Sequence, residues 1–255
     1  MSIQTVKTQS PLGNLNYLLH DRKAKISYLV DPFDGEQLRE IIKEDFSDHK
    51  MIILLTHTHM DHIAGVEALV HGGVNEVWGH RDCEHVQLTK VLKEGDSWAF
   101  GGDQIQVIEV PGHKSEHIVF FIQSQQGEHH LISGDTLFFA GVGNCKNGGN
   151  PEELYQSIEK LKKQIPENTI IYPGHDYLET NLRFGLSLVP NNVYASECLN
   201  DLNQGKVRVP TRMSEELKFN PFLNLNHPEL VLALEGEKLN ESERFVKLRS
   251  LRDKW

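Results

Sequence analysis

Four side chains of the kind that bind metals fall within six residues, in His57-Thr58-His59-Met60-Asp61-His62. Two imidazoles at i and i+2 on an extended backbone project to the same side. An aspartate and a histidine two and three residues later can serve a second position nearby. Imidazole with carboxylate, and no thiolate, suits Zn, Fe or Mn. A lone histidine is most often a satisfied core or surface residue, but a cluster this tight points to metal. Three further candidates are ordinary turn or cap residues when taken singly: His113 in Pro111-Gly112-His113, Asp135 after Ser133-Gly134, and His175 in Pro173-Gly174-His175. Together with the first cluster they complete two sets. His57, His59 and His113 would surround one ion and Asp61, His62 and His175 the other, with the Asp135 carboxylate between them. His117 is read as a supporting residue, and His129 and His130 as strand residues away from the site.

The elements that position these residues follow a common rule. The apolar run 51–55 leads directly into His57. The alternating stretch 104–110 ends in Pro-Gly-His113, 130–133 ends in Gly-Asp135, and 169–172 ends in Pro-Gly-His175. Short β-branched runs followed by Pro or Gly are strand-then-turn signals. Strand ends that share one sheet edge would bring every ligand together there, where α/β folds commonly place their sites. Asn150-Pro151-Glu152-Glu153 predicts a capped helix start, with Leu154, Ile158, Leu161 and Ile165 on its buried face. After His175 no further strand signal occurs. Leu178, Leu182, Leu186 and Val189 predict a helix stopped by Pro190, and helices are expected near 191–200, 212–218 and 240–252. The boundary near residue 175 divides a mixed α/β domain from a mostly helical one.

The whole composition narrows the possibilities. The chain has 255 residues, 24% charged, 38% hydrophobic, and a formal charge of −10. That is enough to bury a real core, and too acidic for general phosphate-backbone binding, so no nucleic acid is expected. No apolar run approaches the roughly 20 residues needed to span a bilayer. No secretory h-region is seen near Met1. The expectation is a cytoplasmic, monomeric protein without membrane contact. Cys83, Cys145 and Cys198 are too few and too dispersed for a disulfide framework, and read as free thiols.

The ordered set Thr-His-x-His-x-Asp-His, Pro-Gly-His, Gly-Asp and Gly-His resembles the metallo-β-lactamase superfamily over about residues 12–175. The resemblance implies an α/β fold, an αββα sandwich with a dinuclear metal site at one edge, followed by a small C-terminal α-helical domain. The second half, with Gly174-His175-Asp176-Tyr177, Asn181-Leu182-Arg183-Phe184 and Phe219-Asn220-Pro221-Phe222-Leu223, resembles glyoxalase II, the hydroxyacylglutathione hydrolases. That likeness implies a catalytic domain over 1–175 and a helical glutathione-binding domain over 176–255. The implied reaction is hydrolysis of S-2-hydroxyacylglutathione, such as S-D-lactoylglutathione, to glutathione and D-lactate. A hydroxide held between two divalent ions, most simply Zn²⁺ with Fe or Mn as alternatives, would attack the thioester, and Asp61 would orient it. Tyr177, Arg249 and Arg252 match the family's substrate contacts, with Arg252 standing where the family has Lys. The loop after Gly143 departs from the family pattern. Asn144 and Lys146 stand where a basic residue and then an aromatic are usual, so Lys146 would supply the charge from a shifted position. The alternatives are a single-iron glutathione persulfide dioxygenase, another thioesterase or lactonase of the same fold, and a non-enzymatic metal-stabilised binding module. The last fits poorly because the ligand set leaves positions for water, whereas structural zinc sites are closed.

Overall fold

Two sheets face each other across a layer of alternating side chains. The computed structural model describes residues 1–8, 10–206 and 209–255. The first sheet runs in order β1 (Ser2–Lys7), β2 (Leu15–Asp21), β3 (Ile26–Val30), β4 (Lys50–Leu54), β5 (Glu76–His80) and β6 (Lys90–Leu92). Its β3 to β6 portion is parallel, and β1 and β2 are antiparallel additions. The second sheet contains β7 (Ser97–Phe100), β8 (Asp103–Glu109), β9 (Ile118–Gln123) and β10 (His130–Gly134). After the small hairpin of β11 (Leu137–Phe138) and β12 (Gly141–Val142), β13 (Ile170–Pro173) pairs with β10 in parallel.

The period of two sorts each strand's residues between layers. Tyr17, Tyr28, Ile52 and Leu54 of the first sheet meet Ile105, Val107, Phe120 and Ile132 of the second. Their neighbours Leu18, Leu29, Ile53 and Val77 pack outward on Leu38 of α1 (Gly35–Asp45) and on Val66 and Leu69 of α3 (Val66–His71). A single turn, α2 (Met60–Ile63), lies between these helices in the chain. On the other side Phe121, Leu131 and Ile171 meet Leu154, Ile158 and Leu161 of α4 (Pro151–Gln164). The layers are therefore helix, sheet, sheet, helix. Strand β4 is apolar on both faces because both of its faces are covered. The Asn150 side chain accepts from the Glu152 and Glu153 amides at 2.9 and 3.1 Å, as the cap signal predicts.

Past β13 only helices occur among the described residues: α5 (Leu178–Leu188), α6 (Val193–Asn203), α7 (Met213–Phe219), α8 (Pro228–Ala233) and α9 (Glu241–Arg252). Leu178 and Leu182 join the inter-sheet core, while Phe184, Phe222, Phe245 and Leu248 join the outer one. The three cysteines are free thiols. No helix of the described residues is long and apolar enough to cross a membrane.

Candidate metal centre and adjoining cavity

All seven predicted ligands come together at the same edge of the sandwich, most of them just past the end of a strand. Beyond β4 the chain stays extended, which gives His57 and His59 a common side. At Met60 it enters α2 with His59 in the N-cap position, and the change of backbone turns Asp61 and His62 toward a second point. His113 comes from the β8–β9 loop, Asp135 follows β10 and His175 follows β13. The sheets are tied together here. The Ile118 amide donates to the Thr56 carbonyl at 2.9 Å, and the Leu15 amide donates to the Gly174 carbonyl at 2.8 Å. Gly174 cannot carry a side chain, since a Cβ would overlap Asp135 Oδ1 and His62.

Two trios result. His59 Nδ1 lies 3.1 Å from His57 Nε2 and 2.8 Å from His113 Nε2. His175 Nε2 lies 3.2 Å from His62 Nε2 and 3.2 Å from Asp61 Oδ2. Asp135 spans them, with Oδ2 3.5 Å from His113 Nε2 and 3.3 Å from His175 Nε2, and Oδ1 3.4 Å from His62 Nε2.

Each histidine directs its other ring nitrogen to an outside partner. His113 Nδ1–H donates to the Asn144 carbonyl at 2.6 Å, His175 Nδ1–H to the Leu12 carbonyl at 2.9 Å, and His59 Nε2–H to the Asn147 carbonyl at 3.2 Å. His62 Nδ1–H donates to Asp31 Oδ2 at 3.0 Å. The Thr56 hydroxyl donates to Asp31 Oδ2 at 2.6 Å and can accept from His57 Nδ1–H at 3.0 Å. A neutral imidazole has one donor and one acceptor nitrogen, so five bare lone pairs converge on the centre. Metal bonds of about 2.0–2.1 Å in a tetrahedron put neighbouring ligand atoms about 3.3 Å apart, and the spacings here run from 2.8 to 3.5 Å. Buried Asp135 Oδ1 accepts no hydrogen bond. These donors fit two divalent cations.

Electrostatics supports the same assignment. Burial drives His57 and His117 well below the ordinary imidazole range and His113 down to about 4. At the second trio burial acts in the same direction, but carboxylates outweigh it. Asp135 and Asp31 lift His62, and Asp135 with Asp61 lifts His175 to about 9. Burial pushes both aspartates up, yet the facing histidines hold Asp61 and Asp135 well below the usual carboxylate range. Negative charge is thus concentrated where a cation would sit.

Beside the second trio lies a cavity of about 230 Å³, walled by Phe138, Lys146, Tyr177, Arg249, Arg252 and Trp255 among others. Tyr177 connects the two, its ring stacked on His175 at 5.1 Å and 6°. The basic residues differ in what they offer. Arg252 donates through Nε and Nη2 to Asn181 Oδ1 at 3.2 Å each. Lys146 is largely exposed and its Nζ donates to the Asp253 carbonyl at 3.1 Å. Arg249 is buried; its Nη1 donates to the Val142 and Gly143 carbonyls at 2.9 and 3.3 Å, and its Nη2 to Asp253 at 3.0 Å. Arg249 therefore builds the cavity wall as well as bordering the cavity.

His117 takes the supporting role expected of it: it stacks on His57 at 4.7 Å, and its Nε2 accepts from the Asp135 amide at 3.0 Å. Four further residues surround the predicted ones. Asp31 follows β3 and precedes Pro32, so the strand-then-turn rule that finds the ligands applies to it too. Asn14 donates to Asp61 Oδ2 at 3.0 Å, and Glu116 accepts from the Thr58 hydroxyl at 2.7 Å, which ties the His57–His59 segment to the His113 loop. Glu216 lies further out, on α7. Only Asp31 had a readable signal in the sequence.

Comparison with known proteins adds a second line of evidence. Residues 13–175 match the model of the metallo-beta-lactamase superfamily, and residues 176–255 match that of the hydroxyacylglutathione hydrolase C-terminus. The hydroxyacylglutathione hydrolase of Polaromonas sp. is 31% identical, and that of Nitrosococcus oceani 33%, each over the whole of both chains. The chain belongs to the hydroxyacylglutathione hydrolase family. Membership of this family, with the metallo-beta-lactamase match, makes the chain a metal-dependent hydrolase, in keeping with the His/Asp clusters. Among solved structures, ETHE1 from Myxococcus xanthus shares the fold, with a TM-score of 0.67 at 23% identity over 99% of this chain and 98% of that one. TTHA1623, solved in a di-iron-bound form, is 26% identical with a TM-score of 0.56, over 69% of this chain and 96% of that one.

Proposed function

We propose that the protein hydrolyses the thioester of S-2-hydroxyacylglutathione, S-D-lactoylglutathione being the expected substrate, to glutathione and a 2-hydroxy acid. One observation carries this reading: two trios of ligands joined by Asp135 open, through the Tyr177–His175 stack, onto a cavity lined by basic side chains. His57, His59 and His113 would hold one ion and Asp61, His62 and His175 the other, with Asp135 shared. Two divalent ions there, zinc in the simplest case and iron or manganese as alternatives, supply a nucleophilic hydroxide at neutral pH and polarise the thioester carbonyl. A single-ion reading leaves Asp61, His62 and His175 converged without a purpose.

The remaining work falls to the chain's own side chains. Asp61 is the more exposed of the two aspartates and is aimed by Asn14, so it can orient the nucleophile as well as hold an ion. A thiolate leaves without a dedicated acid, since its conjugate thiol has a pKa near about 8.5. Arg252 and Lys146 would receive the carboxylates of the glutathione peptide through charge-assisted hydrogen bonds. Tyr177 would contact the peptide beside the thioester, and Arg249 would hold the wall behind it. Lys146 takes the place of a charge two residues earlier in the family pattern. The working division is a catalytic domain over 1–175 and a substrate-binding helical domain over 176–255, in a cytoplasmic monomer.

The test is hydrolysis of S-D-lactoylglutathione by protein purified with its native metals, beside a chelated sample, with metal content measured on both. Rapid turnover that chelation abolishes is expected. A metal-loaded protein that leaves this thioester intact would overturn the substrate assignment and direct attention to other thioesters, lactones and persulfides.

A further inference from the structure

The second domain reaches the metal centre through a turn of main chain. Residues 139–140 join β11 to β12, and helical-domain side chains take four of the five carbonyls and one amide of residues 139–143. Asn181 Nδ2 donates to the Phe139 carbonyl at 2.9 Å, Asn220 Nδ2 donates to the Gly141 carbonyl at 3.1 Å, and Arg249 takes the Val142 and Gly143 carbonyls. At the centre of this clamp is Glu216 of α7, which is fully buried. Its Oε2 accepts from the Ala140 amide and from Asn220 Nδ2, both at 2.9 Å, and its Oε1 meets the Thr211 hydroxyl at 2.7 Å. Ala140 has φ +55°, a conformation that a residue with a side chain keeps only when its surroundings impose it.

The far end of the same turn bears on the metal ligands. Gly143 packs so closely on the Asp135 carbonyl and on His113 Nδ1 that a Cβ there would overlap both. The next carbonyl, that of Asn144, is the acceptor for His113 Nδ1–H at 2.6 Å. We infer that Glu216 is a positioning residue for the metal centre: by fixing the turn at Ala140 it holds the Asn144 carbonyl that sets the tautomer and aim of His113. This rests on the two-ion reading of the centre. Partners that orient a ligating histidine typically change metal affinity about 10–100-fold when lost. Glu216 exerts that effect through main chain instead of by direct contact.

The experiment uses the whole chain loaded with zinc. It measures affinity by competition with a chromophoric chelator, and the His113 ring tautomer by long-range ¹H–¹⁵N correlation. E216L removes the acceptor, while E216Q keeps an oxygen for the Ala140 amide and turns its NH₂ toward Thr211. T211V removes a buried hydrogen bond to Glu216 without touching the turn, and so reports on stability alone. E216L is expected to weaken one of the two bound zinc ions about 10–100-fold and to disturb the His113 Nδ1–H signal. E216Q should stay near wild type, and T211V should lower Tm with both zinc ions held as in wild type. A folded E216L with wild-type affinity and an intact His113 signal overturns the inference, and so does a T211V that loses zinc as E216L does. If E216L does not fold, N220A, which frees the Gly141 carbonyl, one Glu216 contact and the Phe222 amide, must show the same selective loss or the inference fails. Wild-type protein that binds no zinc would instead refute the two-ion reading itself.

Discussion

At the scale of single residues, the site shows how the same residue type divides into different roles. Arg249 and Arg252 lie three positions apart on α9 and share a cavity wall, but their surroundings separate them. Arg249 is buried and its terminal nitrogens are used by the protein, whereas Arg252 is half-open, hydrogen-bonded to Asn181 and set over the Phe184 and Trp255 rings. Hydrogen bonds to charged groups contribute about 1.5–3 kcal/mol each. R252A is therefore expected to raise KM roughly 10- to 100-fold, with kcat and Tm little changed. R249A leaves two buried carbonyls and Asp253 without their donor, so it should cost about 3 kcal/mol of stability as well as raising KM. Steady-state kinetics with thermal melts on both variants checks this, and an R249A protein as stable as wild type would contradict the wall role. Both arginines are candidates through the resemblance to glyoxalase II; the basic stretch by itself reads as a solvated helix end that offsets the dipole. The difference between them was not legible, because it depends on which face of α9 is covered.

At the scale of elements, the histidine-bearing turns and the clamp around 139–143 differ in how they arise. Strand ends followed by Gly or Pro are local features, so β4, β8, β10, β13 and the start of α4 could be read from a few residues each. Strands β1–β3 and β5–β7, with α1 and α8, carried weaker local signals; pairing within the two sheets set the places of the strands, and apolar packing those of the helices. Glu216 carried none at all. A lone glutamate in a charged helical stretch reads as a solvated face, yet packing of α7 under the turn buries it. Burial pushes its carboxyl up to about 8 from an ordinary 4.5. In that interval the folded protein holds a proton that the unfolded chain has lost. This contribution to stability is fully present below about pH 4.5 and is lost as pH rises through 8. Relative to E216Q, wild-type stability should fall with a slope of up to about 1.4 kcal/mol per pH unit across that window. Denaturant unfolding of both proteins at several pH values measures it, and parallel curves would show that Glu216 does not titrate there.

At the scale of the whole molecule, the metal centre lies where two sheets and a helical domain meet, so it reports on the entire fold. Five imidazoles and two carboxylates from both sheets face one another within 2.8–3.5 Å, an arrangement that bound cations would hold together. At free zinc about 1,000 times Kd, binding adds about 4 kcal/mol. Chelation should therefore lower Tm by roughly 10 °C in a protein of this size, reversed by adding zinc back. Calorimetry with and without chelator decides it, and a Tm indifferent to chelation would argue that the trios hold no ion. The amino-acid sequence by itself determined the kinds of candidate ligand, their grouping into strand-end turns, the switch from α/β to helical character near residue 175, and the family. These are consequences of short-range periodicity, turn chemistry and motif order. Only the tertiary structure decided that Asn14, Glu116 and Glu216 belong with those ligands, and that Arg249 faces inward. Burial and hydrogen bonds between residues as far apart as Val142 and Arg249 exist only once the chain has packed, and no local pattern encodes them.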